Sequence, residues 1–281
     1  MTKQDEHSKK VLPAVEFRCT LRLGDSETEN PHFFETARSV KDFLLLSPRG
    51  AYTATRTLNQ HAVMNWSAHI NRLLESWYLL FGPNCFGNLD NEEFANEWIK
   101  HRINMTLKYG IGEYFSRATK LSSKNSTEEA KITLLMLEPK SIDTVELYIH
   151  FDIIQIANIS SPCTVVIHGP PRTLPVVKDS KWLSDRKPLE ESKLIPGIHE
   201  LILSDPNGNI YEGLTSNFFC VIREINSIRI ETAPLDHVLN GTMLKAVERV
   251  CKKLGFGFKF RFPQIRDAIL WDGAFITSKI S

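Results

Sequence analysis

The chain has 281 residues, 42% hydrophobic and 24% charged, with a formal net charge of +1. That length exceeds an average domain and the composition supports a real core, so one large or two medium domains are expected. A charge so close to zero argues against a nucleic-acid footprint or a polyanionic partner and directs attention to small substrates. Cys19, Cys85, Cys163, Cys220 and Cys251 are scattered without a CxxC pair, the usage of a reducing compartment rather than of a zinc site. The opening MTKQDEHSKK is too polar for a secretory signal and lacks the Arg-rich character of a transit peptide. No apolar run approaches the roughly 20 residues of a membrane span. A cytoplasmic protein with no membrane partner is the expectation.

In chain order, residues 14–24 (AVEFRCTLRLG) alternate like a strand, and 32–46 read as helical. A turn and a β-branched, aromatic strand follow over 48–58 (PRGAYTATRTL). From residue 63 to 80 the period becomes helical, with Trp66, Ile70, Leu73, Leu74, Trp77 and Leu80 at three- and four-residue steps. A second helix is predicted over 91–108, capped by Asp90 or Asn91. The polar stretch 118–130 reads as a surface loop. Strands KITLLMLE, VELYIHFDII and CTVVIHG come next, with a linker around 155–164.

Leu201–Ile222 is a hairpin turned at Asp205, Pro206, Asn207 and Gly208. A helix is predicted from Thr242 to Leu254, with Asn240 and Gly241 at its start and Gly255 past its end. The order implies a mixed α/β protein of two domains, 1–158 and 159–281. No GxGxxG follows a strand and no GxxxxGK[ST] occurs, which argues against a doubly wound nucleotide-binding sheet.

Four places carry candidate chemistry. Lys178 ends the apolar run LPVV just before Asp179 and Ser180. An ordinary lysine is solvated, but one partly desolvated at a strand end becomes a nucleophile toward a carbonyl; Lys181 is the neighbouring alternative. Glu212 is followed by Thr215, Ser216 and Asn217 between two runs that want burial. A carboxylate there can hold a proton on a ring nitrogen, with the small polar side chains binding an anionic substituent. Gly241 and Thr242 begin a helix whose amides favour a phosphate, a common signal by itself. Arg72 shares a helix face with His69 and Leu73 and can turn inward as a bidentate phosphate partner. The remaining histidines show no HExxH-like spacing, so metal catalysis has little support.

Together these segments resemble the class IV, or fold-type IV, pyridoxal-phosphate enzymes: branched-chain and D-amino-acid aminotransferases and aminodeoxychorismate lyases. YEGLTSNFF is similar to the family's E-G-x-x-S-N-x-F signature, and Lys178 stands 34 positions before Glu212, the family's spacing; Lys181 is three residues too close. RGAYTATRT resembles the G-x-F-E-x-x-R strand, AHINRLLES the H-x-x-R-L-x-x-S helix, VLNGTML the L-x-G-[IV]-T phosphate segment, and AFITS the last inner strand. The resemblance runs from about residue 48 to 278.

It implies a small N-terminal α/β domain and a larger, barrel-like C-terminal domain holding pyridoxal 5′-phosphate. Lys178 would be the Schiff-base lysine, and Arg72, Glu212, Ser216, Asn217, Leu239, Gly241 and Thr242 would bind the cofactor. The implied function is transamination between a small amino acid and a 2-oxo acid in a homodimer. An aminodeoxychorismate lyase, or a non-catalytic protein of the same fold, is the alternative. The sequence departs from the family in having Trp182 and Leu183 where branched-chain enzymes present an aromatic hydroxyl, and Thr53 where glutamate is frequent. It ends at Ser281, where the family runs on, which implies a shortened second domain.

Overall fold

A computed structural model of the protein describes residues 13–22, 32–82, 92–121, 128–141, 144–154 and 162–278. The chain divides into two compact units. The first takes residues 1–48, 55–64 and 83–155, and the second takes 49–54, 65–82 and 156–281. No helix among the described residues is long and apolar enough to cross a membrane.

The first unit is built on a six-stranded sheet. Its strands are β1 (Ala14–Arg22), β2 (His32–Thr36), β3 (Gly50–Leu58), β4 (Ala62–Val63), β5 (Ala130–Leu137) and β6 (Thr144–Ile153), ordered β2-β1-β6-β5-β3-β4. β1 and β6 alternate as half-buried strands should, and bury Phe17, Leu21, Leu147, Ile149 and Phe151. The expected helix over 32–46 is a strand followed by a short helix. Phe33 lies opposite Phe17 in the β1–β2 register, their rings 4.4 Å apart and edge to face. Helix α1 (Val40–Leu46) starts only at Ser39, whose side chain accepts from Asp42 N at 3.1 Å.

Helix α3 (Glu92–Leu121) overruns its predicted end at 108. Beyond 108 the helix continues through Gly110, where a Cβ would stand 2.9 Å from the Phe151 ring. This glycine permits close packing instead of ending the helix, and the buried stripe of Ile99, Ile103, Leu107, Ile111 and Tyr114 runs past it. The caps predicted at Asp90 and Asn91, residues 122–127 of the predicted loop, 155–161 of the predicted linker and Ser281 lie outside the described residues.

The second unit contains helix α2 (Trp66–Phe81), the first part of β3, and a seven-stranded sheet. That sheet comprises β7 (Val165–Ile167), β8 (Glu200–Ser204), β9 (Ile210–Gly213), β10 (Asn217–Arg223), β11 (Ile228–Thr232), β12 (Gly257–Phe260) and β13 (Gly273–Thr277). Its path is β12-β11-β10-β9-β8-β7, with β13 on β10. β7–β8 and β11–β12 are parallel; the described pairs between them are antiparallel. Two short helices, α4 (Trp182–Asp185) and α5 (Lys187–Lys193), lead into β8. Helix α6 (Thr242–Leu254) has the predicted bounds and ends at Gly255 with φ 71°. It buries Leu244 and Cys251 against Phe219, Ile230 and Val238.

The expected second strand of the hairpin is two strands. β9 stops at Gly213, residues 214–216 turn, and β10 returns so that Asn217 pairs with Glu212. Gly213 N donates to Ser216 O at 2.8 Å and closes this turn. The polar run between the two apolar ones is therefore a tight turn, which puts Glu212 at a strand end.

Candidate active site

Lys178 is set in place by its neighbours' backbone. Its N donates to Ser76 Oγ on α2 at 3.1 Å, and its carbonyl accepts from Tyr52 N at 2.9 Å. The two residues that follow extend the latch to the start of β3. Ser180 exchanges hydrogen bonds with Gly50 at 2.9 and 3.0 Å, and Asp179 takes a bidentate bond from Arg49, its closest contact 2.6 Å. The Lys178 amine lies 4.8 Å from the centre of the Tyr52 ring. Lys181 goes elsewhere: its exposed amine pairs with Asp185 one helical turn on.

Glu212 is 4% exposed. Its Oε2 accepts from Leu239 N at 3.0 Å and its Oε1 from Arg172 Nη1 at 3.3 Å. Arg172 also donates to Pro175 O and, at 2.8 Å, to Val177 O, while its guanidinium carbon sits 4.9 Å from the Trp182 ring centre. Lys178, Glu212, Arg172, Tyr52, Trp182 and Leu239 line one cavity, together with the turn 213–217. The cavity volume is about 30 Å³.

Ser216 and Asn217 also border this cavity, but their polar groups serve the protein. Thr215 Oγ1 and Ser216 Oγ donate to Glu200 Oε2 at 2.7 and 2.9 Å. These hydroxyls were expected to bind an anionic substituent, and they already bind a carboxylate from β8. Asn217 Nδ2 donates to Leu239 O at 3.0 Å. That same carbonyl accepts from Gly241 N at 2.7 Å, so the Gly241 amide turns back on its own loop. The first-turn amides that remain to a ligand begin at Thr242, as at any helix start. A Cβ on Gly241 would fall 2.4 Å from Asn217 Oδ1, so only glycine leaves room for that asparagine.

Arg72 turns inward on α2. Its Nη2 donates to Thr53 Oγ1 at 3.1 Å and lies 3.4 Å from His69 Nδ1, and Thr53 and His69 are 2.8 Å apart. Its buried Nε has no hydrogen-bond partner among the described residues. Arg72, Gly241 and Thr242 do not border the Lys178–Glu212 cavity. Thr242 instead lines a second cavity of about 560 Å³ with the first turn of α2 and with Lys245 and Arg249.

Three residues around Lys178 and Glu212 escaped the sequence reading: Tyr52, Arg172 and Glu200. Tyr52 is the aromatic two residues after Gly50 in RGAYTATRT, a signal of position but none of role. Arg172 and Glu200 are single charges in PPRTLPVV and GIHELIL, with nothing local to mark them.

A family model described as amino-transferase class IV matches residues 50–280. The chain belongs to that family. No curated protein sequence matches it. Among solved structures, it is similar to a putative branched-chain amino acid aminotransferase from Thermotoga maritima at 21% identity. The match covers 93% of this chain and 83% of that one, with a TM-score of 0.61. A fold IV transaminase from Curtobacterium pusillum is 17% identical over 94% and 89%, TM-score 0.66. A hypothetical aminotransferase from Mycobacterium tuberculosis, bound to alpha-ketoglutarate and PMP, is 15% identical over 93% and 87%, TM-score 0.63. These identities carry the fold. Membership of the class IV aminotransferases makes the chain an aminotransferase.

The electrostatics of this aminotransferase's cavity run against ordinary lysine and glutamate behaviour. Burial lowers the Lys178 pKa, and Arg72 and Arg172 add to the effect while Tyr52 opposes it. Burial raises the Glu212 pKa, opposed by Arg172, by the Leu239 N–H and by Lys178. The amine is thus released toward its neutral, nucleophilic form, and the carboxylate toward accepting a proton.

Proposed function

We propose that the chain is a pyridoxal-phosphate-dependent aminotransferase that moves an amino group between a small amino acid and a 2-oxo acid, with Lys178 as the reacting amine. One observation carries this reading: a desolvated amine and a buried carboxylate share one small cavity in a class IV aminotransferase.

The donor set suits a phosphorylated pyridine. Arg72 has a buried guanidinium nitrogen without a partner among the described residues, and Asn217 and Gly241 fit each other so closely that the start of α6 is fixed in place. Arg72 and the first-turn amides from Thr242 would hold the phosphate. Glu212, steadied by Arg172 and Leu239 N, would keep a proton on the ring nitrogen. Ser216, Asn217 and Leu239 would shape the wall beside it. When bound, the cofactor supplies an aldehyde and an electron-withdrawing ring. Lys178 provides the nucleophile and then carries a proton to and from the substrate carbon as base and acid.

The test is spectroscopic. Purified protein incubated with pyridoxal phosphate and reduced with borohydride should carry the label on Lys178, and Lys178→Ala should abolish it. Adding a panel of amino acids should convert the cofactor to its amine form. Label on Lys181, or no conversion with any donor, overturns the assignment; release of pyruvate from aminodeoxychorismate without conversion identifies a lyase instead.

A further inference from the structure

Tyr52 has no role in the reading above, although its ring lies beside the Lys178 amine. It is 8% exposed, on β3, and its backbone N–H donates to the carbonyl of Lys178 itself. That bond fixes the two residues side by side, and their side chains enter the same cavity, with the amine 4.8 Å from the ring centre.

We propose that Tyr52 is a catalytic residue that shares one proton with the Lys178 amine. The proton moves from Nζ to the phenolic oxygen, so ammonium and phenolate become amine and phenol. No charge enters or leaves the cavity, and no co-reactant is needed.

The surroundings give this exchange a purpose. The amine faces cations: Arg72 from α2 and Arg172 from the segment before it. Glu212 lies across the cavity, with its carboxylate already bonded by Arg172 and Leu239 N. In such a site a lone buried lysine surrenders its proton to solvent and has none to return. A phenol beside it is shifted toward ionisation by neighbouring cations. Burial pushes the Tyr52 pKa up, but Lys178, Arg186 and Arg172 outweigh it and bring it below the ordinary value. The two groups then titrate as a pair. Over a wide pH range they keep one proton between them, available to a lysine that must act first as base and then as acid.

This inference rests on Lys178 being the reacting amine, and its experiment separates the two claims. The near-ultraviolet tyrosinate absorbance of the cofactor-free protein is titrated first. One of the six tyrosines should ionise at lower pH than the rest. Tyr52→Phe should remove that step, and Lys178→Met should move it upward. In the second arm, borohydride-trapped capture of pyridoxal phosphate is followed against pH. Tyr52 opposes the fall in the lysine's pKa, so Tyr52→Phe should move the capture midpoint downward by about one unit, about a tenfold change in the neutral-amine ratio at fixed pH. A tyrosinate step that is absent, that survives Tyr52→Phe, or that ignores Lys178→Met overturns the proposal, as does a capture profile unchanged by Tyr52→Phe. If capture fails in the wild type, the functional reading falls while the titration still decides the pair; if Tyr52→Phe does not fold, the Lys178→Met titration decides alone.

Discussion

At the residue scale the cavity holds two cationic side chains whose removal should have opposite effects. The folded protein disfavours a charged Lys178, so between its depressed pKa and the ordinary 10.5 the unfolded chain binds more protons and stability rises with pH. Lys178→Met should therefore stabilise the cofactor-free protein at neutral pH by roughly 1–3 kcal/mol, and the gain should close as pH approaches 10.5. Arg172 is the reverse case. Its guanidinium, 7% exposed, pairs with a carboxylate that is 5% exposed, and removing it strands a buried charge. Arg172→Met should cost about 3–5 kcal/mol. That cost should be smaller below the raised pKa of Glu212, where the carboxyl of the folded protein is neutral and no buried charge is stranded. Denaturant midpoints across pH, read for both variants, check the two signs together.

At the scale of elements, the turn between β9 and β10 and the start of α6 act as one piece. Asn217 holds Leu239 O, Leu239 N holds Glu212, and Gly241 yields the space that Asn217 fills. Gly241→Ala should cost about 1–3 kcal/mol by driving Asn217 from its bond. Asn217→Ala loses one hydrogen bond, about 1 kcal/mol. The double variant should cost less than the sum, since the clash is gone once the asparagine is; strict additivity would mean the two do not touch. Glu212→Gln tests the neighbouring carboxylate. It preserves shape, removes the charge facing Arg172, and should lower kcat/KM about a hundredfold or more, while leaving capture of pyridoxal phosphate on Lys178 detectable.

For the molecule as a whole, the family resemblance predicts a homodimer. Sedimentation at micromolar concentration should give twice the mass of one 32.1 kDa chain. An active monomer would refute it.

What the sequence determined by itself was local and periodic. The stripe of Ile70, Leu73, Leu74 and Trp77 specified α2, the Gly241 and Gly255 boundaries specified α6, and the family's lysine-to-glutamate spacing pointed to Lys178 rather than Lys181. These are legible because helical period, capping and motif spacing lie within one stretch of chain. Tertiary structure alone decided the rest. It turned Phe33 into a strand residue by pairing it with Phe17, and it carried α3 past Gly110 by packing it against Phe151. It also directed the hydroxyls of Thr215 and Ser216 to Glu200, and it brought Tyr52 and Arg172 into one cavity with Lys178. Each of those outcomes depends on a partner distant in sequence or unmarked by any local pattern. Burial, which changes what a lysine or a carboxylate can do, exists only once the chain has closed around them.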